Sequence, residues 1–115
     1  MWVFTTKGFL SIVQHNSLPD HFQVKSRAID PLRELWPEHE GEAIDWADYR
    51  FRINARKDDV VPVIGSLVGS IDYSSFKNEC EWDGGYHRAL VGIWNTMYRF
   101  QSEREMSESV RSRPS

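Results

Sequence analysis

Two short stretches carry basic side chains at alternate positions. Phe22-Gln23-Val24-Lys25-Ser26-Arg27-Ala28 holds Lys25 and Arg27, and Tyr49-Arg50-Phe51-Arg52-Ile53-Asn54 holds Arg50 and Arg52. Successive side chains of an extended chain point to opposite faces, so each basic pair projects from one side of its strand. With the two strands side by side, Lys25, Arg27, Arg50 and Arg52 form a basic patch whose ligand is an anion: a nucleic-acid backbone, a phosphorylated small molecule or an acidic protein surface. The plainer alternative is a wet sheet face whose cations pair with Glu42, Asp45 or Asp48. Tyr49 and Phe51 alternate with the arginines, which places them on the opposite, inner face, away from any base the cations attract.

Other residue types offer less. Asp45, Asp48 and Tyr49 could line a small polar cleft with a histidine, the arrangement a minimal enzyme would need. His15, His21, His39 and His87 share no metal-ligand spacing, and none forms a zinc pattern with Cys80, so no metal and no cofactor is expected. Cys80 could pair with His87, but Glu79, Glu81 and Asp83 disfavour its thiolate. Trp2, Trp46 and Trp82 have no evident place in a core and are the candidate anchors for a protein partner.

The elements that must position these residues follow from pattern. Trp2 to Thr6 and Phe9 to Gln14 read as strands around Gly8, which marks a hairpin or a bulge. Phe22 to Ala28, Ala43 to Trp46 and Tyr49 to Asn54 also read as extended chain. Asp30-Pro31 starts a short helix that Pro37 ends. Asp58-Asp59 opens a second, with Val60, Ile64, Leu67 and Ile71 at helical spacing and Val61 and Val68 beside them. Asp72 to Phe76 suggests a further short helix, broken by Asp83-Gly84-Gly85. The last helix spans about Tyr86 to Glu103, with Tyr86, Leu90, Ile93, Met97 and Phe100 on one stripe broadened by Trp94. The expected fold is α+β: an antiparallel sheet of three to four strands with helices packed on one face, ferredoxin-like being one candidate. The expected core is Phe4, Phe9, Ile12, Phe22, Val24, Leu32, Leu35, Phe51, Ile53, Ile64, Leu67, Leu90 and Ile93.

A chain of 115 residues, 40% hydrophobic and 27% charged, suits one globular domain. Residues 1–104 are expected to form it, and 105–115 a frayed or disordered tail. The net charge of −3 is not that of a general polyanion binder. A single cysteine, no leader-like start and no long apolar run point to the cytoplasm and away from a membrane.

Met1-Trp2-Val3-Phe4-Thr5-Thr6-Lys7-Gly8-Phe9, Ala47-Asp48-Tyr49-Arg50-Phe51-Arg52, Asp72-Tyr73-Ser74-Ser75-Phe76-Lys77 and Tyr86-His87 with Ile93-Trp94 together resemble a group of small bacterial proteins. The resemblance covers most of residues 1–100. It implies a bacterial cytosolic protein and carries no activity or site. The expectation from the residues is a non-catalytic binding or regulatory module that contacts a protein partner or a second copy of itself. An anion binder using the basic sheet face, nucleic acid included, is the alternative, and a small enzyme at Asp45, Asp48 and Tyr49 a further one.

Overall fold

The computed structural model describes residues 1–112. The chain divides into two compact units, Met1–Asp72 and Tyr73–Ser115.

The first unit is an antiparallel sheet with helices on one face. Strands β1 (Trp2–Thr5), β2 (Gly8–Gln14), β3 (His21–Ser26), β4 (Glu42–Ala43) and β5 (Phe51–Arg56) lie in the order β1-β2-β3-β5-β4. Five strands form where three to four are expected. The extra ones come from the hairpin that separates β1 from β2 and from the two-residue edge strand β4. The first three strands meander without crossover helices, so the ferredoxin-like candidate does not describe this sheet.

Local chemistry fixes the first hairpin. Thr5 pairs with Gly8, and the Thr5 Oγ1 accepts from the backbone N–H groups of Lys7 (3.0 Å) and Gly8 (3.1 Å) while donating to the Gly8 carbonyl (2.8 Å). Gly8 has φ +142°, a backbone region that side chains with a Cβ rarely adopt.

Helices α1 (Asp30–Leu35) and α2 (Lys57–Gly69) both join the core beneath the sheet. That core is Leu10, Ile12, Val24, Leu32, Trp36, Ile53, Ala55 and Val60, with Val3, Phe22, Ile29, Leu35, Phe51, Val63 and Ile64 packed against it. Trp36, just past the end of α1, is fully enclosed because its one polar atom is satisfied: the indole Nε1 donates to the Asp59 carbonyl at 2.9 Å. Burying such a side chain stabilises by roughly 1.5–3 kcal/mol or more, on the scale of other large apolar residues. Phe4 and Phe9, expected in this core, lie on the other face of the sheet, because Val3, Leu10 and Ile12 take the inward positions of β1 and β2.

The second unit holds α3 (Phe76–Glu79) and α4 (Gly84–Ser112). Ser75 caps α3, its Oγ accepting from the Asn78 N–H at 3.4 Å. The Asp83 carboxylate caps α4, accepting from the N–H groups of Gly85 (3.0 Å) and Tyr86 (3.1 Å). Among the described residues of this unit, Cys80 and Leu90 are the buried apolar ones. Helix α4 continues through residues 105–112, where polarity suggests a frayed tail. Glu103, Arg104 and Glu105 are good helix formers, and Gln101 donates to the Glu105 carboxylate at 2.9 Å one turn on. Residues 113–115 of that expected tail lie outside the described residues. Among the described residues no helix is long and apolar enough to cross a membrane.

Candidate functional site

The first unit's sheet has a second face, opposite the one α1 and α2 cover. Because Leu10, Ile12, Val24, Ile53 and Ala55 point into the core, their neighbours along each strand must point the other way. The strand register then lines up one row across all five strands: Trp2 opposite Ser11, Ser11 opposite Lys25, Lys25 opposite Arg52, and Arg52 opposite Glu42. Beside it, Gln23 and Asn54 lie opposite each other and their side-chain amides meet at 3.3 Å.

Aromatic rings gather at one end of this face. Phe4 stacks on Phe9 with centroids 4.6 Å apart, Trp2 meets Phe9 edge-on at 5.9 Å, and Tyr49 lies 6.2 Å from Phe9. The Arg27 guanidinium sits 4.4 Å over the Tyr49 ring and donates to the Asp48 carbonyl at 3.0 Å. The Arg52 Nη2 donates to the Tyr49 carbonyl at 3.1 Å, while its Nε is buried without an acceptor. Both arginines therefore bond to neutral carbonyls and keep their charge unmatched. Lys25 has no hydrogen bond or ion pair among the described residues.

Three of the four basic residues singled out by sequence, Lys25, Arg27 and Arg52, thus share one face. Arg50 does not join them. Its Nε is held by the Asp45 carboxylate at 3.0 Å, and its guanidinium lies 5.2 Å over the ring of Phe51, which packs on the core side. Tyr49 corrects the sequence expectation most directly. Strand β5 begins only at Phe51, so the strict alternation does not reach back to Tyr49, and the bend before the strand turns its ring to the cationic face. Asp45 and Asp48 are spent on Arg50 and Arg27, the first through its carboxylate and the second through its backbone.

The remaining candidates are scattered. Trp2, Trp46 and Trp82 are 70%, 90% and 63% exposed. His15 and His21 approach to 6.4 Å between ring centroids, but the His15 Nδ1 accepts from the Ser17 and Leu18 N–H groups, and His21 contacts the Asp20 carboxylate at 2.7 Å. That contact holds the Asp20 carboxyl below its ordinary range. Burial, reinforced by Glu79, pushes the Cys80 thiol up, which leaves it protonated and a poor nucleophile.

A second surface lies on α4 itself. Trp94, Met97, Tyr98 and Phe100 are each more than half exposed, and Trp94 stacks on Tyr98 at 5.5 Å one turn on. With Gln101 and Arg104 they border a concavity of about 470 Å³. Lys77 of α3 places its ammonium 5.2 Å over the Trp94 ring. Set against known protein families, curated proteins and solved structures, this chain matches none. The two surfaces are therefore read from their own chemistry. The helical stripe was legible in the spacing of Leu90, Ile93, Met97 and Phe100; only Leu90 of these is buried. The aromatic end of the sheet face was not, because Phe4 and Phe9 read equally well as core.

Proposed function

We propose that this chain is a non-catalytic, cytoplasmic interaction module whose α4 docks against an apolar helix of another protein chain, a second copy being the simplest such partner. The supporting observation is the run of large apolar side chains on one helix: Trp94, Met97, Tyr98 and Phe100, 52–56% exposed, with Met106 beyond them at 70%. Contiguous apolar surface of this kind carries a standing hydration cost of about 25 cal/mol per Å² and marks protein contacts in soluble proteins. Trp, Tyr and Met are also enriched at such contacts, with Trp and Tyr among their usual anchors. The 3–4 spacing of Leu90, Ile93, Met97 and Phe100 is that of a helix packed along another helix.

Analytical ultracentrifugation tests it. The wild type is expected to self-associate with a concentration-dependent sedimentation coefficient, and Trp94→Ser/Phe100→Ser to sediment as a monomer with unchanged helical circular dichroism. Both substituted side chains are more than half exposed, so folding should survive. A wild type that stays monomeric, and that captures no protein which the double variant fails to capture, would remove the reading.

A further inference from the structure

We propose that the sheet face opposite α1 and α2 binds single-stranded nucleic acid, its bases stacking on Trp2 and the Phe4–Phe9–Tyr49 cluster and its phosphates meeting Lys25, Arg27 and Arg52. This site rests on residues of the first unit and on none of those named on α4.

Two properties of the face together select this ligand. The first is charge. Lys25, Arg27 and Arg52 have no carboxylate partner among the described residues, and the row that runs through Trp2, Ser11, Lys25 and Arg52 meets an acid only at its far end, Glu42. A chain that is −3 overall concentrates unmatched positive charge here. The second is the aromatic surface beside that charge. Trp2 is 70% exposed and meets Phe9 in a T-shaped pair, so most of its indole is accessible to a planar group. Arg27, its guanidinium carbon 4.4 Å from the Tyr49 ring centroid, offers a planar cation beside the rings on which a base can stack.

An inorganic anion or an acidic peptide would use the cations and leave the rings idle. A duplex would do the same, since its bases are already stacked on one another. An unpaired strand uses both, and sheets with exposed aromatics recognise such strands in this way. The overall negative charge limits long-range attraction, so a dissociation constant of about 1–100 µM at physiological salt is expected.

The test is fluorescence anisotropy with a labelled oligothymidylate or oligouridylate of about twelve nucleotides, within the site sizes of such surfaces. Binding should quench tryptophan emission and weaken with salt, with a slope of about −0.7 in log affinity per phosphate contact. Trp2→Ala should weaken it roughly five- to hundredfold, the worth of one stacked base. Lys25→Glu should weaken it and flatten the slope by about one contact. Both are surface changes, so circular dichroism should be unaltered. Three outcomes overturn the proposal: no binding at about 50 mM salt, equal affinity for the duplex or for polyglutamate, or wild-type affinity in Trp2→Ala. Equal binding of the RNA and DNA probes supports it as stated, and a preference between them names the strand.

Discussion

Lys25 and Arg52 face each other directly across β3 and β5, two like charges in register with no carboxylate partner for either among the described residues. Directly opposed like charges destabilise a sheet by a fraction of a kcal/mol. Lys25→Gln should therefore raise the urea midpoint, by about 0.2–1 kcal/mol of stability at low salt. The gain should shrink as salt screens the wild-type repulsion. A loss of stability instead would mean that the lysine stem's packing outweighs its charge. A gain in stability together with weaker oligonucleotide binding would identify the opposed cations as kept for a ligand.

Gly8 and Pro31 give the sharpest steric prediction. A Cβ on Gly8 would lie 2.4 Å from the Pro31 Cγ, at a φ of +142° that is itself unfavourable for any other residue. The proline ring is rigid and belongs to the first turn of α1, so it cannot swing aside. Gly8→Ala should cost at least about 2 kcal/mol in chemical denaturation. Gly65, inside α2 with nothing within 4 Å of an added Cβ, is the contrasting control. Gly65→Ala should stabilise by about 0.5–1 kcal/mol through helix propensity.

Alkaline pH should weaken the second unit. Burial, with Glu79, raises the Cys80 thiol above its ordinary 9.0, and burial, with Cys80 nearby, raises the Tyr86 hydroxyl above its ordinary 10.0. The folded chain thus keeps protons that the unfolded chain gives up. Their stabilising contribution is complete below the ordinary thiol value and is lost as pH rises through the folded values, so Tm should fall on the alkaline side and be flat on the neutral side. Tyr86→Phe should remove much of the alkaline slope. The native Cys80 should resist iodoacetamide at neutral pH and react once the chain is denatured.

Much of the fold follows from one-dimensional pattern. The β-branched and aromatic runs, the break at Gly8, the Asp30-Pro31 start and the apolar spacings of α2 and α4 are local signals, and the elements form at or within a few residues of them, although the Ala43–Trp46 run shortens to the edge strand Glu42–Ala43 and the Tyr49 run starts only at Phe51. Alternation also placed Lys25 and Arg52 on one face, since period two leaves no other choice within a strand. What alternation could not do was reach past the ends of strands. Tyr49 and Arg50 precede β5, and the Asp45–Arg50 ion pair and the bend there decide where each side chain goes.

The sequence by itself determined that this is an α+β chain with an antiparallel sheet, two helices to cover it, and cations at alternate strand positions, because propensity, capping and periodicity act over a few residues. Only the tertiary structure decided which aromatic face is core. Phe4, Phe9 and Leu10 are equally apolar, and it is the register of β1, β2 and β3 and the docking of Leu32, Trp36 and Val60 that send Leu10 inward and leave both phenylalanines beside Tyr49 and Arg27. Pairing across strands is a long-range choice, so the surface that joins rings to unmatched charge exists in the fold and in no single stretch of the chain.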